Sequence, residues 1–321
     1  MGTRRNAAMA GRQRGIALVA VLLVLLLMSV MAASFTRSTR TSNQLARNLF
    51  ARAEAEALAD AGVYRAIAGL FERAPERRLA VDGTPYRIAL AGGEVRISLQ
   101  DEGGKIDLNR APETMFVALF REAGLADERA FALADAIADY RDRDDDRRPH
   151  GAEAADYRAA GRGAAPKNAP FEAIEELRQV LGMDEPGYRL VAPAITVFGR
   201  GRRVNRETAP DLVLRALVAD EAAVEERLQA RSAAGRTLDS DEDAPGDDEG
   251  AAGQVARAAR FGAVTITSRS QKPGGGVFVR EAIVRAVRTN DRGGGRLPFE
   301  VLAWRQGTGD ADDEPSDDGG N

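Results

Sequence analysis

The 321-residue sequence predicts an α+β fold: a long N-terminal helix packed on an antiparallel sheet, with a large all-α domain inserted between two strands. A helical pattern covers residues 16–75. Strand-like alternation occupies residues 76–100 and returns at residues 256–306, and a helical period fills residues 101–230 between them. Because few isolated strands are stable alone, we expect the two separated groups to pair in one sheet.

Composition excludes several classes of protein. The chain has no Cys, which removes thiolate catalysis, disulfides and Cys-based metal sites. Its one histidine, His150, would have to serve any Ser–His–Asp triad alone, so we predict that the protein is not an enzyme. Two acidic, low-complexity segments predict a disordered linker at residues 231–255 and a disordered tail at residues 307–321.

The N-terminus predicts a membrane helix. Residues 1–15 contain four arginines and no acid, and residues 16–33 contain no charged side chain. As a helix this apolar stretch is about 27 Å long, close to the roughly 30 Å of a bilayer core. The flanking arginines predict a single-pass protein with a cytoplasmic N-terminus and most of the chain on the other side of the membrane, which the family resemblance described below identifies as the inner membrane with the periplasm beyond it.

The apolar stretch has two simpler interpretations, a secretory signal peptide and a plain anchor. Against a signal peptide, the helical pattern continues past the apolar stretch, with Leu45, Leu49 and Ala53 four residues apart. Pro75 is the first residue that would stop it. A helix of more than 50 residues that is apolar at its start and amphipathic afterwards resembles the stalk helix of a pilin.

The inserted domain contains an imperfect repeat, an extended Asn-x-Ala-Pro or Asn-x-x-x-Ala-Pro segment followed by an apolar helix. The two copies occupy residues 106–112 and 204–210. Similar units occur in helix-hairpin-helix proteins that bind DNA through exposed amides. Gly124 and Gly182 stand where hairpin glycines would, but ordinary helix C-caps explain them better in an exported domain.

A cluster of acidic residues predicts either a hard-cation site or a solvated loop screened by its own arginines. The spacing alone leaves both interpretations open. An EF-hand is rejected because Arg147 stands where the loop needs Gly. A two-metal hydrolase is disfavoured because no nucleophile or general base is nearby. The candidate ligands are Asp139, Asp142, Asp144, Asp145, Glu153 and Asp156.

Several motifs resemble the minor pseudopilin K family of type II secretion systems. The basic leader ending in Gly15 resembles a class III signal, and the inserted domain carries similar blocks in the same order. These blocks are residues 101–109 (DEGGKIDLN), 139–145 (DYRDRDD) and 166–171 (PKNAPF). The resemblance implies a pilin-like fold and bound calcium in the acidic loop.

The resemblance also implies processing and a position in a filament. Prepilin peptidase would cut after Gly15 and methylate the new amine of Ile16. Most pilins carry Glu as the fifth mature residue, whereas this chain has Ala20 there. A subunit without this carboxylate suits the tip of the filament, where nothing is added ahead of it.

The implied partners are the minor pseudopilins I and J, prepilin peptidase and inner-membrane lipid, with no nucleic acid. The stalk helices of I and J would pack along Leu45, Leu49 and Ala53. Two alternatives stay open from the residues: a minor pilin of a type IV pilus, and a membrane-anchored helix-hairpin-helix DNA-binding protein.

Overall fold

A computed structural model of the chain describes most of the residues. The described ranges are 6–72, 78–90, 93–163, 165–199, 201–233, 236–238, 262–271, 276–287 and 299–307. Within them, the side chains of residues 6–17, 33, 36–41, 232, 233 and 236–238 lie outside the description. The chain divides into two compact units, residues 1–54 and residues 55–321.

The first unit consists of the N-terminal part of helix α1, Asn6–Leu70. Gly15 and Ile16 lie in this helix, and their side chains are outside the described residues. The described apolar side chains from Leu18 to Met31 are exposed, and so is Ala20. Among the described residues, no helix offers a stretch that is both long and apolar enough to cross a membrane.

The second unit contains a six-stranded sheet in the order β5-β1-β2-β6-β7-β8. All neighbouring pairs are antiparallel except β5 with β1. The strands predicted in residues 76–100 and those predicted in residues 256–306 therefore share one sheet, since β2 pairs with β6. The strands are β1 (Asp82–Leu90), β2 (Gly93–Asp101), β5 (Arg236–Leu238), β6 (Ala263–Gln271), β7 (Val277–Ala286) and β8 (Phe299–Gln306).

The C-terminal part of α1 packs on one face of this sheet. Leu58, Val63 and Ile67 are buried against alternate residues of β1, β2 and β6, because alternate side chains of a strand share a face. Gly62 allows the close approach: a Cβ there would lie 2.6 Å from Val95 Cγ1 and 2.3 Å from Ser268 Oγ. The α+β prediction, with a long helix on an antiparallel sheet, is confirmed.

The inserted helical domain lies between β2 and β6 in the chain. Its buried core centres on Phe116, Phe120, Leu133, Ile137 and Tyr157, all at most 1% exposed. A two-residue parallel ladder of β3 (Ile106–Asp107) with β4 (Ile195–Thr196) joins its two halves. The helices are α2 (Glu113–Glu122), α3 (Asp127–Arg141), α4 (Ala154–Ala159), α5 (Glu185–Val191), α6 (Asp211–Leu217) and α7 (Glu221–Ala233).

The two copies of the repeat begin helices in the same way. Pro112 and Pro210 are the N-cap residues of α2 and α6, so each predicted extended segment leads directly into a helix. Gly124 ends α2 as a left-handed cap with φ of 85°. Across this cap the Leu125 amide donates to the Phe120 carbonyl, and the Gly124 amide donates to the Arg121 carbonyl, both at 2.9 Å. Gly124 is therefore an ordinary helix C-cap.

Buried polar contacts fasten the inserted domain to the sheet. Glu102 is 2% exposed and accepts hydrogen bonds from Thr265 of β6, at 2.6 Å, and from Thr196 of β4. Lys105 Nζ lies 2.6 Å from the same carboxylate. Asp101 accepts a 2.9 Å hydrogen bond from Thr208. The end of β2 is therefore hydrogen-bonded both to strand β6 of the sheet and to the inserted domain.

The boundaries of some segments differ from the prediction. Helix α1 ends at Leu70, where amides of the next two residues bond three positions back, and residues 73–77 lie outside the described residues. Strand β5 falls inside the stretch predicted as a linker. The acidic runs at 239–249 and 310–318 lie outside the described residues.

Candidate functional site

The acidic loop starts where helix α3 ends, and Arg141 fixes that end. Arg141 Nη1 donates to the Leu108 carbonyl at 2.5 Å, and Nη2 donates to the Ala111 carbonyl at 2.8 Å. These bonds tie the last residue of α3 to the turn before α2. The loop continues from Asp142 to Glu153, where α4 begins.

Arg148 is the internal counter-ion of the loop. Its Nη1 donates to Asp139 Oδ1 at 2.7 Å and to Asp142 Oδ2 at 2.5 Å. Its backbone amide donates to Asp139 Oδ2 at 3.2 Å, so both oxygens of this fully buried carboxylate have partners. Burial nevertheless raises the pKa of Asp139, because the low-polarity surroundings disfavour its charged form. Asp139 is thus a structural anchor.

Glu153 is compensated less than Asp139, since only the backbone amide of Ala154 acts to lower its pKa. Its side chain is 6% exposed, and neither carboxylate oxygen has a hydrogen-bond partner among the described residues. Asp142 Oδ1 is buried and unpartnered in the same way. Burial raises the pKa of Glu153, and the nearby charges of Asp139, Asp142 and Asp145 raise it further. Buried oxygens of this kind are costly unless another group satisfies them.

The predicted ligands Asp156, Asp144 and Asp145 each accept a hydrogen bond within the protein. Asp156 accepts a 2.9 Å hydrogen bond from the Glu153 amide at the start of α4 and pairs with Arg147. Asp144 is exposed, and its Oδ1 accepts from the amide of Asp146 at 3.1 Å. Asp145 is exposed and accepts from Asn168 Nδ2 at 3.0 Å. Of the six predicted ligands, only Asp142 and Glu153 therefore have a buried carboxylate oxygen without a hydrogen-bond partner among the described residues.

Asn168 contacts the acidic loop, although it is not among the ligands predicted from the sequence. Its Oδ1 is buried without a hydrogen-bond partner among the described residues, as are the oxygens of Glu153 and Asp142 Oδ1. It lies in a different loop, and its Nδ2 reaches the Asp144 carbonyl at 3.3 Å as well as Asp145. The sequence signal was weak because Asn168 is uncharged and far along the chain from the acids.

These oxygens are of the donor type that suits a hard cation. Two carboxylates and an amide carbonyl are the donors that calcium prefers, and the site offers no nitrogen or sulfur ligand among its unpartnered atoms. Within the described ranges, no three acidic or histidine side chains form a metal-binding group by themselves. An ion here would need the Asn168 oxygen, backbone carbonyls or water besides Glu153 and Asp142.

Two family comparisons define the class of protein. Residues 14–63 match the family described as "PilX N-terminal", and residues 97–200 match "Type II secretion system (T2SS), protein K". The first covers much of α1 and the second covers the start of the inserted domain with the acidic loop. The fold and the site therefore belong to a pilin-like subunit with a helical insertion.

Similarity to curated relatives identifies the family. The chain is 34% identical to type II secretion system protein K of Klebsiella pneumoniae, over 70% of this chain and 77% of the relative. It is 28% identical to the protein of that name from Pseudomonas aeruginosa, over 64% and 68% of the two chains. The chain belongs to the type II secretion system protein K family, whose members are minor pseudopilins.

The fold agrees with a solved structure of this family. The chain matches a chain in the crystal structure of the GspK-GspI-GspJ complex from enterotoxigenic Escherichia coli, with a TM-score of 0.50 and 18% identity. The match covers 84% of this chain and 99% of that chain. The predicted resemblance is therefore confirmed, and the protein is a structural component of a secretion system in the cell envelope.

Proposed function

We propose that the protein caps the tip of the pseudopilus and promotes its assembly for protein export across the outer membrane. The observation that carries this proposal is Ala20, the fifth residue after the Gly15–Ile16 junction. An acid at that position would neutralise the terminal amine of a neighbouring subunit inside the membrane, where an unpaired charge is costly. A subunit with Ala20 offers no such partner, so the filament stops at it.

The substitution Ala20→Glu tests this role. It should let a further subunit join ahead of the protein, so that labelled copies are found within the shaft and not only at one end. Ala20→Gln is the matched control, since it adds the same length without the charge and should leave the protein at the tip. Unchanged tip location of the Glu variant would contradict the proposed role of Ala20.

We also propose that the protein is anchored in the inner membrane by residues 16–33 after processing. The basic leader, the uncharged stretch and the Gly15–Ile16 junction support cleavage by prepilin peptidase and methylation of the new Ile16 amine. Mass spectrometry of the protein from membranes should find a chain that begins at methylated Ile16. A chain intact from Met1, or one trimmed beyond Ala33, would refute this proposal.

The proposed partners are the minor pseudopilins I and J. A related chain was solved in a complex of GspK, GspI and GspJ, which supports the same assembly here. Cysteine pairs introduced at Leu49 and in the stalks of I and J should cross-link in membranes. We propose no catalytic role and no nucleic-acid partner, because capping and assembly require neither.

We propose that the inserted domain binds calcium. The support is the set of buried oxygens without hydrogen-bond partners among the described residues, which are both oxygens of Glu153 and Oδ1 of Asp142; Arg148 bonds only the other oxygen of Asp142. A bound ion would supply positive charge there and link α3 to α4. Calcium added to the chelator-treated full-length protein should raise its melting temperature more than magnesium does. No response to calcium would refute this part of the proposal.

A further inference from the structure

We propose that Arg305 is a salt-sensitive latch, which holds the inserted helical domain against the sheet and lets that domain turn when its ion pair is broken. The latch joins strand β8 to the 3₁₀-helix Ile174–Gln179 of the inserted domain. The residues that form it lie outside both the acidic loop and helix α1.

The covalent connections of the inserted domain lie on one side of the sheet. The chain leaves the sheet at the end of β2, and β5 is the next strand of the sheet after helix α7. Both strands lie on the same side of β6 in the sheet order β5-β1-β2-β6-β7-β8. The ion pair of Arg231 Nε with Asp82 Oδ2 of β1, at 3.2 Å, lies on this side as well. At the opposite edge, only side-chain contacts can hold the domain against the sheet.

Arg305 provides such a contact at the β8 edge. Its Nη1 donates to Glu175 Oε1 at 2.6 Å, and its Nε and Nη2 both donate to Glu281 Oε1, at 2.8 and 2.5 Å. Glu281 is the partner of Arg305 in the ladder of β7 with β8, so this half of the contact stays within the sheet. The guanidinium group presents several donors in fixed directions, which lets one side chain bind two carboxylates at once.

The distance of Arg305 from the chain connections makes this contact effective against rotation. Strand β8 lies three strands away from β2, which is about 14 Å at the usual strand spacing of about 4.8 Å. A rotation of the domain about its connections would therefore move Glu175 far from Arg305. The buried hydrogen bonds of Glu102 lie at the end of β2 and on β6, close to the connections, so they restrict such a rotation less.

A packed aromatic side chain supports the latch on the side of the inserted domain. Tyr188 of α5 is 5% exposed, and the guanidinium carbon of Arg178 lies 3.8 Å from the centroid of its ring. Burial raises the pKa of Tyr188, and the charges of Glu175 and Arg305 are close enough to act on it as well. Glu175 and Tyr188 therefore belong to one surface of the inserted domain, and Arg305 of β8 lies beside it.

Solvent exposure makes the latch sensitive to salt. The side chain of Arg305 is 39% exposed, and that of Glu175 is 42% exposed. Exposed ion pairs contribute little to the free energy of unfolding, and they weaken further when salt screens their charges. Loss of this pair should therefore change the orientation of the domain, while the buried hydrogen bonds of Glu102 keep the chain folded.

Distances between two spin labels on the full-length protein in detergent test the latch. Because the chain has no Cys, labels can be attached through Glu94→Cys on β2 and Glu128→Cys on α3, both at exposed positions. At low salt we expect one narrow distribution of distances. Glu175→Gln should increase the fraction of molecules outside it about two- to fivefold, the effect of losing an exposed ion pair. About 1 M salt, at which the screening length is about 3 Å, should act in the same way on the protein with Glu175 intact.

Glu172→Gln is the matched control, because that side chain is 84% exposed and pairs with Lys167 of the same domain. It should leave the distance distribution unchanged. Arg305→Gln combined with Glu175→Gln should have no larger effect than Glu175→Gln alone, since both changes remove the same contact. The melting temperature of Glu175→Gln should stay close to that of the unsubstituted protein. A distance distribution in Glu175→Gln that matches the unsubstituted protein at low salt would overturn the proposal.

Discussion

Among single residues, Glu153 lowers the stability of the fold when its buried side chain is charged. Its pKa is raised above the ordinary value of 4.5, first by burial and then by neighbouring carboxylates. A carboxyl group with a raised folded-state pKa stabilises the fold below its unfolded pKa, and this contribution is lost as the pH rises through the folded value. Charged Glu153 therefore makes the fold less stable at neutral pH than an uncharged side chain of the same shape would at this position.

Glu153→Gln should remove this cost because it keeps the shape of the side chain without its charge. We expect a higher melting temperature in chelator at pH 7, a flatter dependence on pH above 4.5, and loss of most of the calcium response. Thermal melts across pH, with and without calcium, measure all three. Glu172→Gln is the control, because that side chain is 84% exposed. A lower melting temperature in chelator for Glu153→Gln would contradict the account.

The sequence predicted part of this site because charge is visible in a sequence. Asp142 and Glu153 were among its candidates, and both present buried free oxygens. The sequence predicts only that several arginines screen the loop, whereas Arg148 binds two specific carboxylates, those of Asp139 and Asp142. The contact of Asn168 with Asp144 and Asp145 could not be predicted, since it forms only when a second loop folds against the acids.

At the scale of elements, the fit of α1 on the sheet depends on Gly62. Gly62→Ala would gain about 1 kcal/mol of helix propensity. The added Cβ would meet Val95 and Ser268 at 2.6 and 2.3 Å, however, and overpacking of this kind costs about 1–3 kcal/mol. We expect a net loss of stability, measured by denaturant unfolding of the full-length protein.

Gly69→Ala is the matched control in the same helix. Its Cβ would meet the branched end of Leu79 at 2.6 Å, and that side chain can change its rotamer. The control should therefore lose less stability than Gly62→Ala. An equal or greater loss in the control would show that the close contact at Gly62 is not what limits the packing.

Periodicity explains which elements the sequence predicted. Helix α1, the β1–β2 hairpin and strands β6 to β8 each repeat an apolar pattern over eight or more residues, and the sequence predicts each of them, although α1 begins at Asn6 and not at residue 16. Strands β3, β4 and β5 contain only two or three residues. A strand of that length has no period to detect, and only the folded neighbours determine it.

At the scale of the whole molecule, the inserted domain and the sheet are joined through a buried carboxylate. Glu102→Ala would leave Lys105, Thr196 and Thr265 without their shared acceptor. Removing one partner of a buried pair costs about 3–5 kcal/mol. We expect unfolding in two separate transitions instead of one, measured by calorimetry. Glu122→Ala, at an exposed position, should unfold as the original chain does.

The proposed tip position can be seen by gold labelling of an epitope on the inserted domain, followed by electron microscopy of sheared filaments. If this subunit ends the pseudopilus, each filament carries a single label at one end. Labels spaced regularly along the shafts would contradict the tip position, whatever the outcome at the calcium site.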